Sequence, residues 1–135
     1  MKKNSFFSVI IPTYNRRIKL EKAIQSVLNQ TYKDWELIII DNYSNDSTKT
    51  MVENFKNNKI KFYQIYNKGV IAKSRNLGVK KSNGKYLAFL DSDDCWHKDK
   101  LMICRNEIVK FKDLKLIYHN MYLRRKKKSN FFSEN

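Results

Sequence analysis

The 135-residue sequence predicts an α/β domain with a mostly parallel sheet and flanking helices. Two observations carry that expectation. Short apolar runs alternate four times with segments whose apolar residues recur at helical spacing. Polar clusters also fall where the runs end, and in open α/β sheets ligands sit beyond the carboxyl ends of the strands.

Each element follows from its residues. FFSVIIP (6–12) is a continuous apolar stretch that reads as a buried strand. From Arg17 to about Asn29, Leu20, Ala23, Ile24, Val27 and Leu28 fall on one helical face. WELIIID (35–41) is a second, β-branched strand, and NYSNDS (42–47) is a loop rich in turn and capping residues. Met51, Val52 and Phe55 mark a second helix, and IKFYQIY (60–66) alternates as a strand does. Val70, Ile71, Ser74 and Leu77 predict a third helix closed near Asn83-Gly84, followed by the strand KYLAFLD (85–91). Leu101, Cys104, Ile108 and Phe111 predict a fourth helix, and LKLIYHN (114–120) a fifth strand. The α/β domain is therefore expected over 1–120, with 121–135 as a basic tail or the start of a further half. A domain ending shortly after a strand, with no closing helix, is expected to be incomplete at its C-terminus.

Composition narrows the partners. Apolar residues make up 41% of the chain, with 8 Phe, 8 Tyr and 2 Trp, which excludes a disordered composition. Lys and Arg number 28 against 13 acids, giving +15. Such an excess suits phosphorylated ligands, anionic lipid or nucleic acid, or a Lys-rich solvated surface. Cys95 and Cys104 match no zinc or redox spacing and read as reduced thiols. The apolar stretch after Lys2 and Lys3 is too short for a signal peptide and is broken by Pro12 and Asn15. No segment reaches bilayer-spanning length. A cytoplasmic protein is expected, soluble or attached peripherally at the inner face of a membrane.

The acidic cluster carries the chemistry. Neither a G-x-G-x-x-G turn nor a phosphate-binding G-x-x-x-x-G-K-[ST] loop is present, and the three glycines lie at 69, 78 and 84. A bound phosphate must then be held by a metal and by cationic side chains. Asp91, Ser92, Asp93 and Asp94 follow a strand directly, and Mg²⁺ or Mn²⁺ is typically held by one or two carboxylates plus substrate phosphates. The structural alternative is a helix N-terminus, which explains one Asp comfortably or two, but not three behind a buried strand. Asp41 and Asn42, at the second strand exit, could hydrogen-bond a pyrimidine edge, or could simply organise their loop as an Asx-turn. Arg75 could reach a phosphate or a base carbonyl, although a helical Arg is more often just exposed.

Taken in order, FSVIIPTYNR, SVLNQTYKDWELIIIDNYSNDST, NKGVIAKSRNLGVKKSNGKYLAFLDSDD and WHKDKL closely resemble the nucleotide-binding half of family 2 glycosyltransferases, from about Phe6 to Leu101. The resemblance implies the Rossmann-like glycosyltransferase A fold, a nucleotide-diphospho-sugar donor, Mg²⁺ or Mn²⁺, and an inverting transfer to an acceptor hydroxyl of a surface glycan or lipid-linked sugar. By that resemblance Pro12, Thr13 and Tyr14 line the nucleobase and ribose. Asn42 stands where the family commonly has an Asp that bonds the uracil ring N–H, and Tyr43 replaces a customary small residue. Arg75 matches a base- or phosphate-contacting Arg. Asp91 and Asp93 match the ends of the D-x-D motif, with Asp94 next; Asp91 and Ser92 are expected at the substrate, Asp93 and Asp94 at the metal. The family's general base belongs to its second half, and the resemblance gives no such role to Glu107, Asp113, His97 or His119.

Two other classes compete. A phosphoryl-transfer hydrolase would use Asp91 as nucleophile, but it wants a downstream Lys or Thr, and no Thr follows Thr50. A basic nucleic-acid-binding module would be indifferent to the Asp cluster, and no nucleic-acid motif supports it. Nucleic acid is not an expected partner. The RRKKK run (124–128) is a solvated end, or a patch attracted to anionic lipid by about 1 kcal/mol per basic residue.

Overall fold

The computed structural model describes residues 5–122. Within them run β1 (Phe7–Thr13), α1 (Arg17–Leu28), β2 (Trp35–Asp41), α2 (Thr48–Glu53), β3 (Ile60–Gln64), α3 (Ile71–Lys81), β4 (Tyr86–Phe89) and α4 (Lys100–Lys110). The four strands form one parallel sheet in the order β3-β2-β1-β4. This is the α/β architecture that the alternation predicts. Among the described residues no helix is long and apolar enough to cross a membrane.

The two central strands are buried at every residue, because helices cover both faces of the sheet around them. Side chains alternate across a strand, so parity decides which layer each residue joins. Val9, Ile11, Leu37 and Ile39 pack in one core with Leu20, Ala23, Ile24 and Val27 of α1, and with Leu101 of α4. Ile10, Ile38 and Ile40 point the other way and pack with Leu77 of α3. Helix α3 lies very close to the sheet. A Cβ on its Gly78 would sit 2.4 Å from Ile10 Cγ2, so only glycine permits this approach.

The register Phe7↔Tyr86 to Ile10↔Phe89 puts Leu87 and Phe89 on the α3 side of the sheet, where α3 covers β1 and β2. Both remain exposed, whereas Tyr86 and Ala88 pack into the opposite core. β4 is therefore buried on one face only, unlike the fully buried strand its apolar run suggests. The strand expected at 114–120 does not form. Among the described residues β4 is hydrogen-bonded only to β1, and a strand with no neighbour has nowhere to place its backbone groups; Leu116 and Tyr118 are exposed. The RRKKK segment lies outside the described residues.

A buried carboxylate locks the amino-terminal end of the sheet. Glu36 of β2 accepts hydrogen bonds from Ser8 Oγ of β1, Lys61 Nζ of β3 and the Asn83 N–H, each at 2.6 Å. Ser8 Oγ in turn accepts the Gly84 N–H at 2.7 Å. One side chain thus ties three strands to the turn that feeds the fourth. Burial alone would raise the Glu36 pKa, but the donors from Lys61, Ser8 and Asn83 outweigh it and hold the carboxyl below its ordinary 4.5. The unfolded chain therefore takes up this proton first as the pH falls. The stabilisation is complete above pH 4.5 and is lost as acidification passes the lower, folded-state value. Glu36→Gln is expected to lower unfolding stability by roughly 1.5–2 kcal/mol at neutral pH, since it removes the charged acceptor shared by Lys61, Ser8 and Asn83. Urea denaturation followed from pH 7 to pH 3 should show a shallower acid loss in the variant than in the parent protein.

Candidate nucleotide-sugar and metal site

In the strand order β3-β2-β1-β4, β1 has its sequence successor on one side and β4 on the other. The chains leaving β1 and β2 both turn to the face covered by α1 and α2, whereas the chain leaving β3 crosses to the α3 face before β4 joins the other edge of β1. That reversal opens a crevice beyond the carboxyl ends of the strands. A cleft of about 490 Å³ occupies this position. It draws Pro12, Thr13 and Tyr14 from the exit of β1, Asn42 from β2, and Asp91, Ser92 and Asp93 from β4. Seven of the ten residues expected at the site therefore meet in one place. Asp41, Arg75 and Asp94 are outside the lining.

The local causes are visible. After β4 the Leu90 N–H still bonds Ile10 O at 3.1 Å, and the chain then turns, closed by the Asp94 N–H on Asp91 O at 3.0 Å. Helix α4 begins only at Lys100, so capping does not explain the acids. Ser92 is buried while Asp91, Asp93 and Asp94 are exposed. Two arginines answer the crowded charge. Arg75 of α3 donates to Asp91 at 2.7 Å, and Arg16 pairs with Asp93. Arg75 thus belongs to the site through Asp91. Glu107, Asp113, His97 and His119 lie on exposed surface away from the cleft.

Asp41 serves the frame. It is fully buried, and its carboxylate accepts the Ser44 N–H at 2.9 Å, the Ser44 hydroxyl, and Gln64 Nε2 at 3.1 Å. The loop-organising alternative for this residue is the one the fold adopts. Asn15 and Ser44 join the β1 and β2 exits, with the Asn15 N–H on Ser44 Oγ at 2.8 Å and the Asn45 N–H on Asn15 Oδ1 at 2.9 Å. Asn42 faces the cleft, and its Oδ1 already accepts the Asn67 N–H at 2.9 Å. Tyr43 has a φ of 53°, a region that costs an L-residue about 1–2 kcal/mol. Its ring stacks on Tyr66 at 4.2 Å between centroids, a contact worth about 0.5–1.5 kcal/mol, which offsets much of that strain.

Four contributors escaped the sequence reading. Asn67 is nearly buried, bonds Ser74 Oγ through Nδ2 at 3.0 Å, and accepts the Gly69 N–H on Oδ1 at 2.9 Å. Its signal was the Asn67-Lys68-Gly69 turn pattern after β3, with Gly69 at a φ of 77°. Gln30 is fully buried, donates to Ser26 O and His97 O, and accepts the Leu101 N–H at 2.9 Å. It fastens the end of α1 to the segment that follows the acidic turn. Arg16 and Arg17 put two cations at the positive end of α1, against the helix dipole. That misfit was the legible signal: Asp93 answers Arg16, and Asp46 brings an anion to the helix start by accepting the Arg17 main-chain N–H at 2.9 Å.

The donor set suits a hard cation. The cleft lining supplies carboxylates and hydroxyls and contains no imidazole or thiol. Among the described residues no group of three His, Cys, Asp or Glu side chains could enclose an ion alone. Mg²⁺ or Mn²⁺ shared with phosphate oxygens needs only one or two carboxylates, a count that Asp91 and Asp93 meet. Thr13 Oγ1, also at the cleft, is buried without a hydrogen-bond partner among the described residues.

Comparison with known proteins gives a consistent answer. The family model for glycosyl transferase family 2 matches residues 8–127. An uncharacterized glycosyltransferase of Rickettsia conorii is 50% identical over 97 residues, covering 71% of this chain and 16% of that protein. The UDP-Glc:alpha-D-GlcNAc-diphosphoundecaprenol beta-1,3-glucosyltransferase WfgD of Escherichia coli is 41% identical over 107 residues, covering 75% of this chain and 42% of that one. The crystal structure of S. aureus TarS 1–349 in complex with UDP-GlcNAc superposes with a TM-score of 0.72 at 33% identity, over 77% of this chain and 31% of that chain. The chain therefore spans less than half the length of each of these relatives. With the sheet order, the acidic turn and the sequence match in agreement, the chain belongs to glycosyl transferase family 2.

Proposed function

We propose that the cleft binds a nucleotide-diphospho-sugar together with Mg²⁺ or Mn²⁺, as the donor-binding part of an enzyme that transfers sugar to a surface-glycan or lipid-linked acceptor. The observation that carries this reading is the meeting of the β1, β2 and β4 exits at a cleft whose acidic turn is matched by arginines. The names of the relatives support it. One is a glucosyltransferase using UDP-Glc and a diphosphoundecaprenol-linked acceptor, and another has been crystallised with UDP-GlcNAc. An acceptor of the first kind would put the protein at the cytoplasmic face of a membrane, held peripherally.

In this reading Asp93 is a metal ligand, with Asp94 beside it on the same turn as a second candidate. Asp91 and Ser92 contact the donor, and Arg75 holds Asp91 in place or reaches the donor itself. Thr13 gives its unpartnered hydroxyl to the nucleoside, while Pro12 and Tyr14 shape the wall beside it. The metal, when bound, supplies Lewis-acid stabilisation of the charge that grows on the departing diphosphate. Arg16 and Arg75 at the cleft add to that stabilisation, because charges already in place need little reorganisation as the bond breaks. The role of general base is assigned to no described residue.

Two outcomes follow. Calorimetric titration with UDP should show affinity that rises on adding Mn²⁺, and Asp93→Ala should remove that increment; an increment retained in full would defeat the site. Asn42 has one amide oxygen, already shared with the Asn67 N–H. A carboxylate at this position can serve Asn67 with one oxygen and a uracil ring N–H with the other. Asn42→Asp is therefore expected to tighten UDP about tenfold, the lower end for a hydrogen bond to a charged group, measured in the same titration.

A further inference from the structure

Arg16 lines the cleft beside Asp93, yet it stands outside the motif residues assigned to the donor. We propose that Arg16 is an exchangeable counter-ion. Without ligand its guanidinium neutralises Asp93; on donor binding it moves to the diphosphate and releases Asp93 for the divalent cation. The inference rests on the donor-site reading above and adds a residue and an order of events to it.

Four features support the exchange. Arg16 is the N-cap residue of α1, with non-helical backbone, so its side chain departs from the positive end of a helix. That end disfavours a cation and favours an anion, which makes Arg16 costly there without a negative partner and well placed once a phosphate arrives. The pair is loosely held, because the Arg16 and Asp93 side chains are 46% and 39% exposed, and exposed ion pairs are weak. The fork of a guanidinium also fits phosphate oxygens as well as it fits a carboxylate. Finally, the charge is conserved by the exchange. Asp91, Asp93 and Asp94 against Arg16 and Arg75 leave one negative charge in excess, and a doubly negative donor entering with a divalent cation leaves that sum unchanged.

A merely structural Arg16 would weaken everything when removed, whereas an exchanging one has opposite effects on its two partners. Mn²⁺ binding alone can be followed by electron paramagnetic resonance, and UDP binding at saturating Mn²⁺ by calorimetry, on the full chain. Arg16→Gln should bind Mn²⁺ about two- to fivefold more tightly, the worth of an exposed ion pair, and UDP about tenfold more weakly, the loss of a charge-assisted contact. Arg16→Lys should recover most of the UDP affinity, and Lys19→Gln, an exposed charge loss on the same helix, should change neither. Asp93→Asn gives the converse test with Arg16 intact: UDP binding without metal should strengthen while the Mn²⁺ increment disappears. Arg16→Gln that weakens both ligands or changes neither overturns the exchange, as does Asp93→Asn without metal-free gain. Absence of any Mn²⁺-dependent UDP binding in the parent protein overturns the donor-site reading itself, a result distinct from failure of the exchange alone.

Discussion

Parallel pairing of β1 on both its edges is the constraint on which the rest depends. With β2 on one side and β4 on the other, three strand exits are brought within one cleft, although their residues lie far apart in the chain. Seven residues of β1 and seven of β2 are buried throughout, so any slip by one residue would turn Ile10 and Ile38 into the wrong layer. Glu36 reinforces that register from the opposite end of the sheet. Its partners sit on β1, β3 and the turn before β4, and a carboxylate buried among them has no second arrangement that satisfies all its donors.

The acidic turn raises the complementary problem of how like charges share a short segment. The fold solves it with arginines delivered by two helices, Arg16 from the start of α1 and Arg75 from α3. These pairs are exposed enough to be weak individually. Weakness is useful at a site whose charges must be surrendered to a ligand. The permanent scaffold is instead assigned to groups that are buried: Asp41 in the β2 loop, Asn67 after β3, and Gln30 beneath the segment leading to α4. Framework and working surface are thus separated by burial.

The places where reading the residues fell short have a common cause. Asp41 looked like a ligand because it precedes Asn42 at a strand exit, but parity and the Ser44 donors turn it into the loop. The strand expected at 114–120 had the right apolar pattern, yet a strand exists only through a neighbour, and β4 pairs with β1 alone among the described residues. Leu87 and Phe89 belong to an apolar run and are nevertheless exposed, because α3 packs over β1 and β2 rather than β4. In each case the local pattern was correct, and what it lacked was the identity of the element across from it.

The sequence by itself determined the alternation of strands and helices, the absence of a glycine phosphate cradle, and the grouping of carboxylates at a strand exit, since all of these are properties of neighbouring residues. Family membership too was legible, because its motifs are local. Tertiary structure alone decided that Asp91 faces Arg75 and Asp93 faces Arg16, that Asn42 shares its oxygen with Asn67, and that Gly78 presses against Ile10. Those contacts join positions that meet only once the sheet order is set. Spacing along a chain fixes which face a side chain takes, and only the packing of whole elements fixes what it meets there.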